Sequence, residues 1–373
     1  MTVRPALMPE SAADGAARLP VEVHCHGFGD VDFSEFDRLD LRRLDRAAAA
    51  ESVVCVPTLY LHRHRLGSLQ RFMQEFAALR ALGEIPHVVG IALEGPLLAS
   101  HGGTPASTVW QPTFGEWLQI AALGRLGLLY TVLSPDAFTP GSPFAVEDPG
   151  SPRRFEDIVP VLVEHGVRPS LGHFLRDDPP RSAEAVYRIV ELAWSASWGG
   201  TGLRVTTDHL FNDMPLTIRH AFRTSRARRD RDATIASYQL RCWTLDGLAE
   251  QVGPVPAAIM NLAAAGRLAA CINFDGEHVD LEVAATAVRL MGVENSMLMT
   301  DRCDSARLGG QLLHHEPENT LWYQDGGTVA AGSQPMARQL HNARRIGLTE
   351  QEIGQLAADT AYRVFDIPAL LPE

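Results

Sequence analysis

Eight short runs rich in apolar and β-branched residues recur along the chain, at 21–27, 52–58, 88–96, 128–135, 167–174, 203–211, 269–276 and 296–301. In the first, Val21, Val23 and Cys25 alternate with Glu22, His24 and His26, the period of two expected of an extended strand. Between the runs lie segments with apolar residues at helical spacing, among them 68–83 with a closing glycine, 183–196, and 280–292 with Asp280 placed as an N-cap. Strand and helix alternating eight times predict an α/β fold, a (β/α)8 barrel of the TIM type. An open doubly wound sheet fits less well, because no glycine-rich phosphate turn follows the first run and polar residues end nearly every run. A β/α barrel carries its chemistry at those strand ends. The expected layout is a tail at 1–18, then a barrel over 19–373 with an arginine-rich insertion at about 220–253. A proline- and glycine-rich loop is expected at 135–152.

The strand ends carry a distinctive set of side chains. His24 and His26, two apart, share one strand face and can offer two ring nitrogens to one cation. Glu94 ends the third run, His173 the fifth, His209 the sixth and Asp301 the eighth. Each alone has a bland reading: a glutamate before Gly-Pro caps a turn, and a lone histidine is usually a hydrogen-bonded core residue. All of them at the ends of strands in one barrel are a metal centre. Imidazole and carboxylate suit zinc or iron, and calcium or magnesium alone do not fit that set. One or two ions are expected, with Glu94 as the shared ligand if there are two. A divalent ion in such a site polarises a carbonyl and lowers the pKa of a water toward about 7. Asp301 is then placed to take a proton from water and pass it to a leaving amine.

Composition narrows the chemistry. None of the 33 basic residues is a lysine, so a lysine Schiff base, a P-loop lysine and a carboxylated bridging lysine are all excluded. A net charge of −12 gives no general attraction to nucleic acid or anionic membranes, and no run approaches the roughly 20 apolar residues of a membrane span. The five cysteines lack CxxC spacing and read as reduced, and the N-terminus lacks an apolar leader, which points to a cytoplasmic protein.

From about residue 19 to 368 the motifs resemble the amidohydrolase superfamily, and within it the N-acetylglucosamine-6-phosphate deacetylases. The resemblance rests on HCHGFG, VPT, IALEGP, LGH, DHLFNDMP, INFDGEHVD, LMTD and AAGSQPM in this order. It implies a metal-dependent deacetylase with a small N-acyl substrate, acting as a homodimer. Glu94, His173 and His209 match the ligands of the principal metal, and His24 and His26 the pair that holds a second one. Asp301 matches the catalytic acid/base. Asn212, Asp213 and His278 match substrate-binding positions, and Arg219 is the expected phosphate arginine.

Three departures bear on the substrate. The loop after LEGP, here LLASHGGTPAST, lacks the family's basic KKG segment and its carbonyl-polarising histidine. His62, His64 and His101 are candidate stand-ins for that histidine, each out of register with it. The insertion blurs the register of Arg219. The family's small β-sandwich has no counterpart, leaving what reads as a bare barrel. The expectation is therefore an N-acyl hydrolase acting on an N-acetyl amino sugar, or its 6-phosphate, or a related small amide. The alternatives are a biosynthetic paralogue acting on a non-sugar N-acyl compound, and a ligand-binding barrel without turnover.

Overall fold

The computed structural model of the chain describes residues 18–29, 31–145, 154–200 and 202–367. All but the last residue of the expected tail, and the 146–152 part of the expected loop, lie outside these.

The eight runs form one parallel eight-stranded sheet in sequential order: β1 (Val21–Cys25), β2 (Val54–Leu59), β3 (Ile91–Leu93), β4 (Leu128–Leu133), β5 (Arg168–Leu171), β6 (Thr206–His209), β7 (Ala269–Asn273) and β8 (Ser296–Met299). Just past β8, the amide of Asp301 donates to the His24 carbonyl (3.0 Å) and that of His26 to the Arg302 carbonyl (2.8 Å). These bonds bring the last strand onto the first at the rim that carries the candidate ligands. The expected (β/α)8 barrel is the observed fold.

Helices α1 (Leu41–Ala50), α2 (Leu66–Ala81), α3 (Phe114–Ala121), α4 (Phe155–Glu164) and α5 (Pro179–Ser195) follow the first five strands. After β6 come α6 (Ser225–Ser237) and α7 (Leu248–Val252), which occupy the insertion, and then α8 (Pro254–Ala264). Next is α9 (Leu281–Met291), with the Asp280 side chain accepting from the Glu282 amide (2.9 Å), as a side-chain N-cap does. Helix α10 (Met336–Arg345) and a helical stretch over 350–365 end the described chain. Arg168, at the start of β5, donates to the carbonyls of Leu203 (2.8 Å) and Val364 (2.5 Å), so the last helical turn closes the barrel end opposite the ligands. Val54, Val56, Tyr130, Val132, Met297 and Met299 form one buried cluster with Tyr362 and Phe365 there. Each such side chain, fully buried, contributes roughly 1.5–3 kcal/mol.

Asp136, just beyond β4, ties the ligand-bearing rim to α5 by accepting from the Leu175 amide (2.9 Å) and the Ser182 hydroxyl (2.6 Å). Burial raises its pKa from 3.8 to about 6. A carboxyl whose folded pKa lies above its unfolded value stabilises fully below the unfolded value, and that stabilisation is lost as pH rises through the folded one. Asp136→Asn is therefore expected to gain stability relative to wild type as pH goes from about 4 to about 7. Urea midpoints that run parallel for the two proteins across that range would contradict a raised pKa.

Sequence reading did not foresee the segment after β8. Residues 307–308 pair with 311–312, and residues 314–315, 322–323 and 329–331 make a three-stranded antiparallel sheet. The second of these lays Val329 and Ala330 against Gly103. A Cβ on Gly103 would fall 2.5 Å from the Val329 carbonyl oxygen and 2.6 Å from the Ala330 Cα, so only glycine lets the two loops meet. Among the described residues no helix is long and apolar enough to cross a membrane, and the five cysteines are free.

Candidate metal centre

His24, His26, Glu94, His173, His209 and Asp301 come together at one mouth of the barrel, each at most 7% exposed. Glu94 is central. Its Oε2 lies 3.2 Å from His24 Nε2 and 3.0 Å from His26 Nε2, while its Oε1 lies 3.2 Å from His173 Nε2. One carboxylate oxygen thus faces the two histidines of β1, and the other faces the histidine that follows β5. The Thr104 hydroxyl, from the loop after β3, donates to the same Oε1. Asp301 Oδ1 stands 3.4 Å from His26 Nε2 and 3.7 Å from His24 Nε2, and its Oδ2 is 3.5 Å from His278 Nε2.

The ring orientations are fixed from behind. His26 Nδ1 donates to the Thr58 carbonyl (3.3 Å), which turns Nε2 toward Glu94, and the Tyr60 ring stacks on the imidazole. His173 Nδ1 lies 3.1 Å from Asp213 Oδ2, and Asp213 Oδ1 accepts from the Ser100 hydroxyl (3.0 Å) and Arg176 (3.3 Å). A carboxylate behind a histidine is the usual support of a metal-ligating imidazole. His173 and Asp301 also sit at positive φ, +58° and +51°. Such conformations cost of order 1–3 kcal/mol each and persist where surrounding contacts impose them.

The electrostatics ask for positive charge. Burial opposes ionisation of Glu94, yet the charge on His26 and the close approach of the His173 and His24 rings hold its carboxyl well below the usual range. Burial likewise opposes a charge on His26, but Glu94 and Asp301 push its pKa up to about 10. Without a cation these carboxylates draw protons onto the imidazoles.

A divalent ion fits this donor set on two observations. The buried His173 Nε2 has no hydrogen-bond partner among the described residues despite lying 3.2 Å from Glu94, and an unmet buried polar group costs about 1–3 kcal/mol. The donor atoms of His24, His26 and Glu94 all lie within 4.8 Å of one another. Nitrogen and oxygen donors about 2.0–2.2 Å from a tetrahedral ion are about 3.3–3.5 Å apart, close to the 3.0 and 3.2 Å seen here.

The cleft above these groups, about 290 Å3, is lined by Asn212, Asp213, His220, Arg223, His278 and Arg176 among others. Asn212 donates to Asn273 (3.2 Å), and His278 is held by Asp275 through Nδ1. The expected Arg219 does not line it. Its amide is tied to the Tyr238 hydroxyl (2.8 Å) of the insertion, and its guanidinium lies over the Phe222 ring on an exposed face. Arg223, four residues further on, enters it instead, donating to the Glu277 carbonyl (3.0 Å). Of the insertion's other arginines, Arg231 is paired with Asp280 (2.6 Å) and Glu282 (3.1 Å). His101, a candidate stand-in for the missing histidine, points Nδ1 at the Thr104 carbonyl (3.2 Å). Asp208, Tyr60, Thr104 and Arg176 were not found from sequence. Of these only Asp208 carried a signal, as the acidic neighbour of His209.

No model of a protein family matches the sequence, and no curated protein matches it either. Solved structures do share its fold. The N-acetyl-D-glucosamine-6-phosphate deacetylase of Mycobacterium smegmatis, a mutant form in complex with N-acetyl-D-glucosamine-6-phosphate, is 21% identical. The match covers 98% of this chain and 84% of that one, with a TM-score of 0.63. The N-acetylglucosamine-6-phosphate deacetylase of Pasteurella multocida is 15% identical over 95% of this chain and 78% of its own, at a TM-score of 0.66. That of Thermotoga maritima is 13% identical over 96% and 81%, at 0.65. At these identities the likeness is one of fold.

Proposed function

We propose that this chain is a metal-dependent N-acyl hydrolase that removes acetyl from an N-acetyl amino sugar or a related small amide. We further propose that N-acetylglucosamine 6-phosphate is not its preferred substrate. The observation that carries the chemistry is the convergence of Asp301 with Glu94 and the histidine pair on one buried rim, a proton acceptor beside a cation-binding donor set. The fold shared with three deacetylases supports the same reading.

His24, His26, Glu94, His173 and His209 would hold the metal. Once bound, zinc or iron supplies a polarised acyl carbonyl and a water of lowered pKa. Asp301 Oδ1, on the histidine side, accepts the proton of the attacking water. Asp301 then delivers that proton to the leaving nitrogen as the amide C–N bond breaks, giving acetate and the free amine. His278 Nε2 stands 3.5 Å from Oδ2 of the same carboxylate. The loops carrying Gly103 and Val329 wall the cleft and limit bulk water.

The substrate end argues against the phosphorylated sugar. Asp213, matched to a substrate-binding position, holds an ionised carboxylate in the wall of this region, where His173 and the Ser100 hydroxyl keep its pKa low against burial. An anion there repels a phosphate, Arg176 is already engaged by Asp213, and Arg223, the arginine that does enter the cleft, is engaged by the Glu277 carbonyl. Beyond Asp213, Arg176 and His220 lies an adjoining cavity of about 420 Å3 with Phe211, Met214, Leu216 and Ile218 in its wall. That space suits a neutral, partly apolar group and favours an unphosphorylated substrate. Measuring kcat/KM for the 6-phosphate, the free N-acetyl sugar and a panel of N-acyl amines tests this. The 6-phosphate is expected to be a poor substrate. Its hydrolysis above roughly 10⁴ M⁻¹s⁻¹, the lower end for ordinary enzymes, would sink the substrate assignment and leave the chemistry standing.

A further inference from the structure

Asp208 is a buried carboxylate to which the chemistry above gives no task. Strand alternation puts it on the opposite face from His209, but the pairing of β6 with β7 is irregular between Thr206 and His209, and both side chains reach the same centre. Its side chain is fully buried, and neither oxygen has a hydrogen-bond partner among the described residues. Oδ1 lies 3.2 Å from His24 Nδ1. Oδ2 lies 3.2 Å from His173 Nε2 and 3.3 Å from His209 Nε2. An isolated carboxylate at such a position is costly unless a positive charge meets it.

The space for it is made by a neighbour. A Cβ on Gly172, in the LGH motif, would fall 2.7 Å from Asp208 Cβ and 3.1 Å from its Oδ2. The glycine before His173 is therefore what admits the Asp208 carboxylate beneath the two histidines.

We propose that Asp208 is itself a metal ligand, completing with His173 and His209 the cation site beside that of His24, His26 and Glu94. The three donor atoms lie within 4.8 Å of one another. Their 3.2 and 3.3 Å edges agree with the roughly 3.3–3.5 Å between donors on a tetrahedral ion. Glu94, with Oε1 on His173 and Oε2 on His24 and His26, then stands between the two sites. This assignment rests on the centre being metal-dependent, as proposed above.

The test is site-resolved metal content of the full chain loaded with zinc. Wild type and Asp208→Asn are compared by elemental analysis, chelator competition and anomalous scattering. Wild type is expected to hold an ion at each site. The variant is expected to keep the one between His24 and His26 and lose the one between His173 and His209. Loss of a group that only supports a ligand weakens metal binding about 10–100-fold, so loss of a ligand is expected to exceed about 100-fold. Wild-type affinity at the His173–His209 site in the variant overturns the assignment, and so does a weakening confined to the His24–His26 site, which would make Asp208 a support for His24. A wild type with an ion only between His24 and His26 overturns it as well. Should Asp208→Asn fail to fold, Gly172→Ala displaces the carboxylate without removing it and is expected to empty the same site, whereas full occupancy there overturns the proposal. A wild type that binds no divalent ion refutes the metal-dependent reading itself, which is a different result.

Discussion

Asp301→Asn is expected to lower turnover by about 10²–10⁴-fold, the contribution usual for a general acid–base group, with metal content unchanged. Asparagine keeps the size of the side chain and tolerates the left-handed φ of +51° at this position. The backbone bonds that join Asp301 to His24 and bring β8 onto β1 therefore survive. What is lost is the ability to accept a proton beside His26 and His24 and return it to nitrogen. Both kcat and kcat/KM are expected to fall together, as for an interaction made in the transition state. Turnover of the preferred substrate within a few-fold of wild type, at full metal content, would remove Asp301 from the mechanism. Loss of metal in the same variant would instead move it from proton transfer to ligation.

The barrel was legible because its strands are buried and periodic. Every expected run overlaps an observed strand, yet the strands are shorter than the runs: 88–96 contains Ile91–Leu93 and 203–211 contains Thr206–His209. The surplus residues beyond the strands' C-terminal ends leave the sheet to build the mouth, and His173, Phe211 and Asp301 do so at positive φ. The convergence of the candidate ligands was legible for the same reason, since a polar residue that closes an apolar run stands at the barrel rim. Asp208 was not, because a period of two assigns it outward and only an irregular register turns it in. Arg223 was not, because the chain after Pro215 follows no period, and counting from a motif stops at Arg219. The hairpins at 307–331 are built from strands of two and three residues, too short for alternation to show. Asp213 lies in the cleft wall, but that its side chain would turn back onto His173 depends on the conformation of a loop.

Glu94→Gln is expected to weaken divalent metal binding by more than about 100-fold and to abolish turnover. A group that only supports a ligand accounts for about 10–100-fold in affinity, and Glu94 touches His24, His26 and His173 directly. Glutamine keeps the volume, so the surrounding packing and the contact with Thr104 are conserved in shape. It replaces an anionic oxygen with an amide N–H2 group, a donor that cannot bind a cation and that carries no charge to draw one in. Glu94 is also the largest influence raising the pKa of His26 against its burial, so its loss shifts His26 toward the neutral form. If proton competition alone governed metal affinity, the variant would therefore bind better at neutral pH, and the expected result is the opposite because the lost ligand outweighs the lost competition. Thermal stability reads this without a substrate. At a metal concentration 100 times the wild-type Kd, binding stabilises the folded state by about 2.7 kcal/mol, and a variant weakened 100-fold gains only about 0.4 kcal/mol. Added zinc should thus raise the wild-type Tm clearly and leave that of Glu94→Gln almost unmoved. Equal shifts in the two proteins would mean that the ion binds elsewhere, and that the carboxylate facing both histidine sets is a hydrogen-bond acceptor and nothing more.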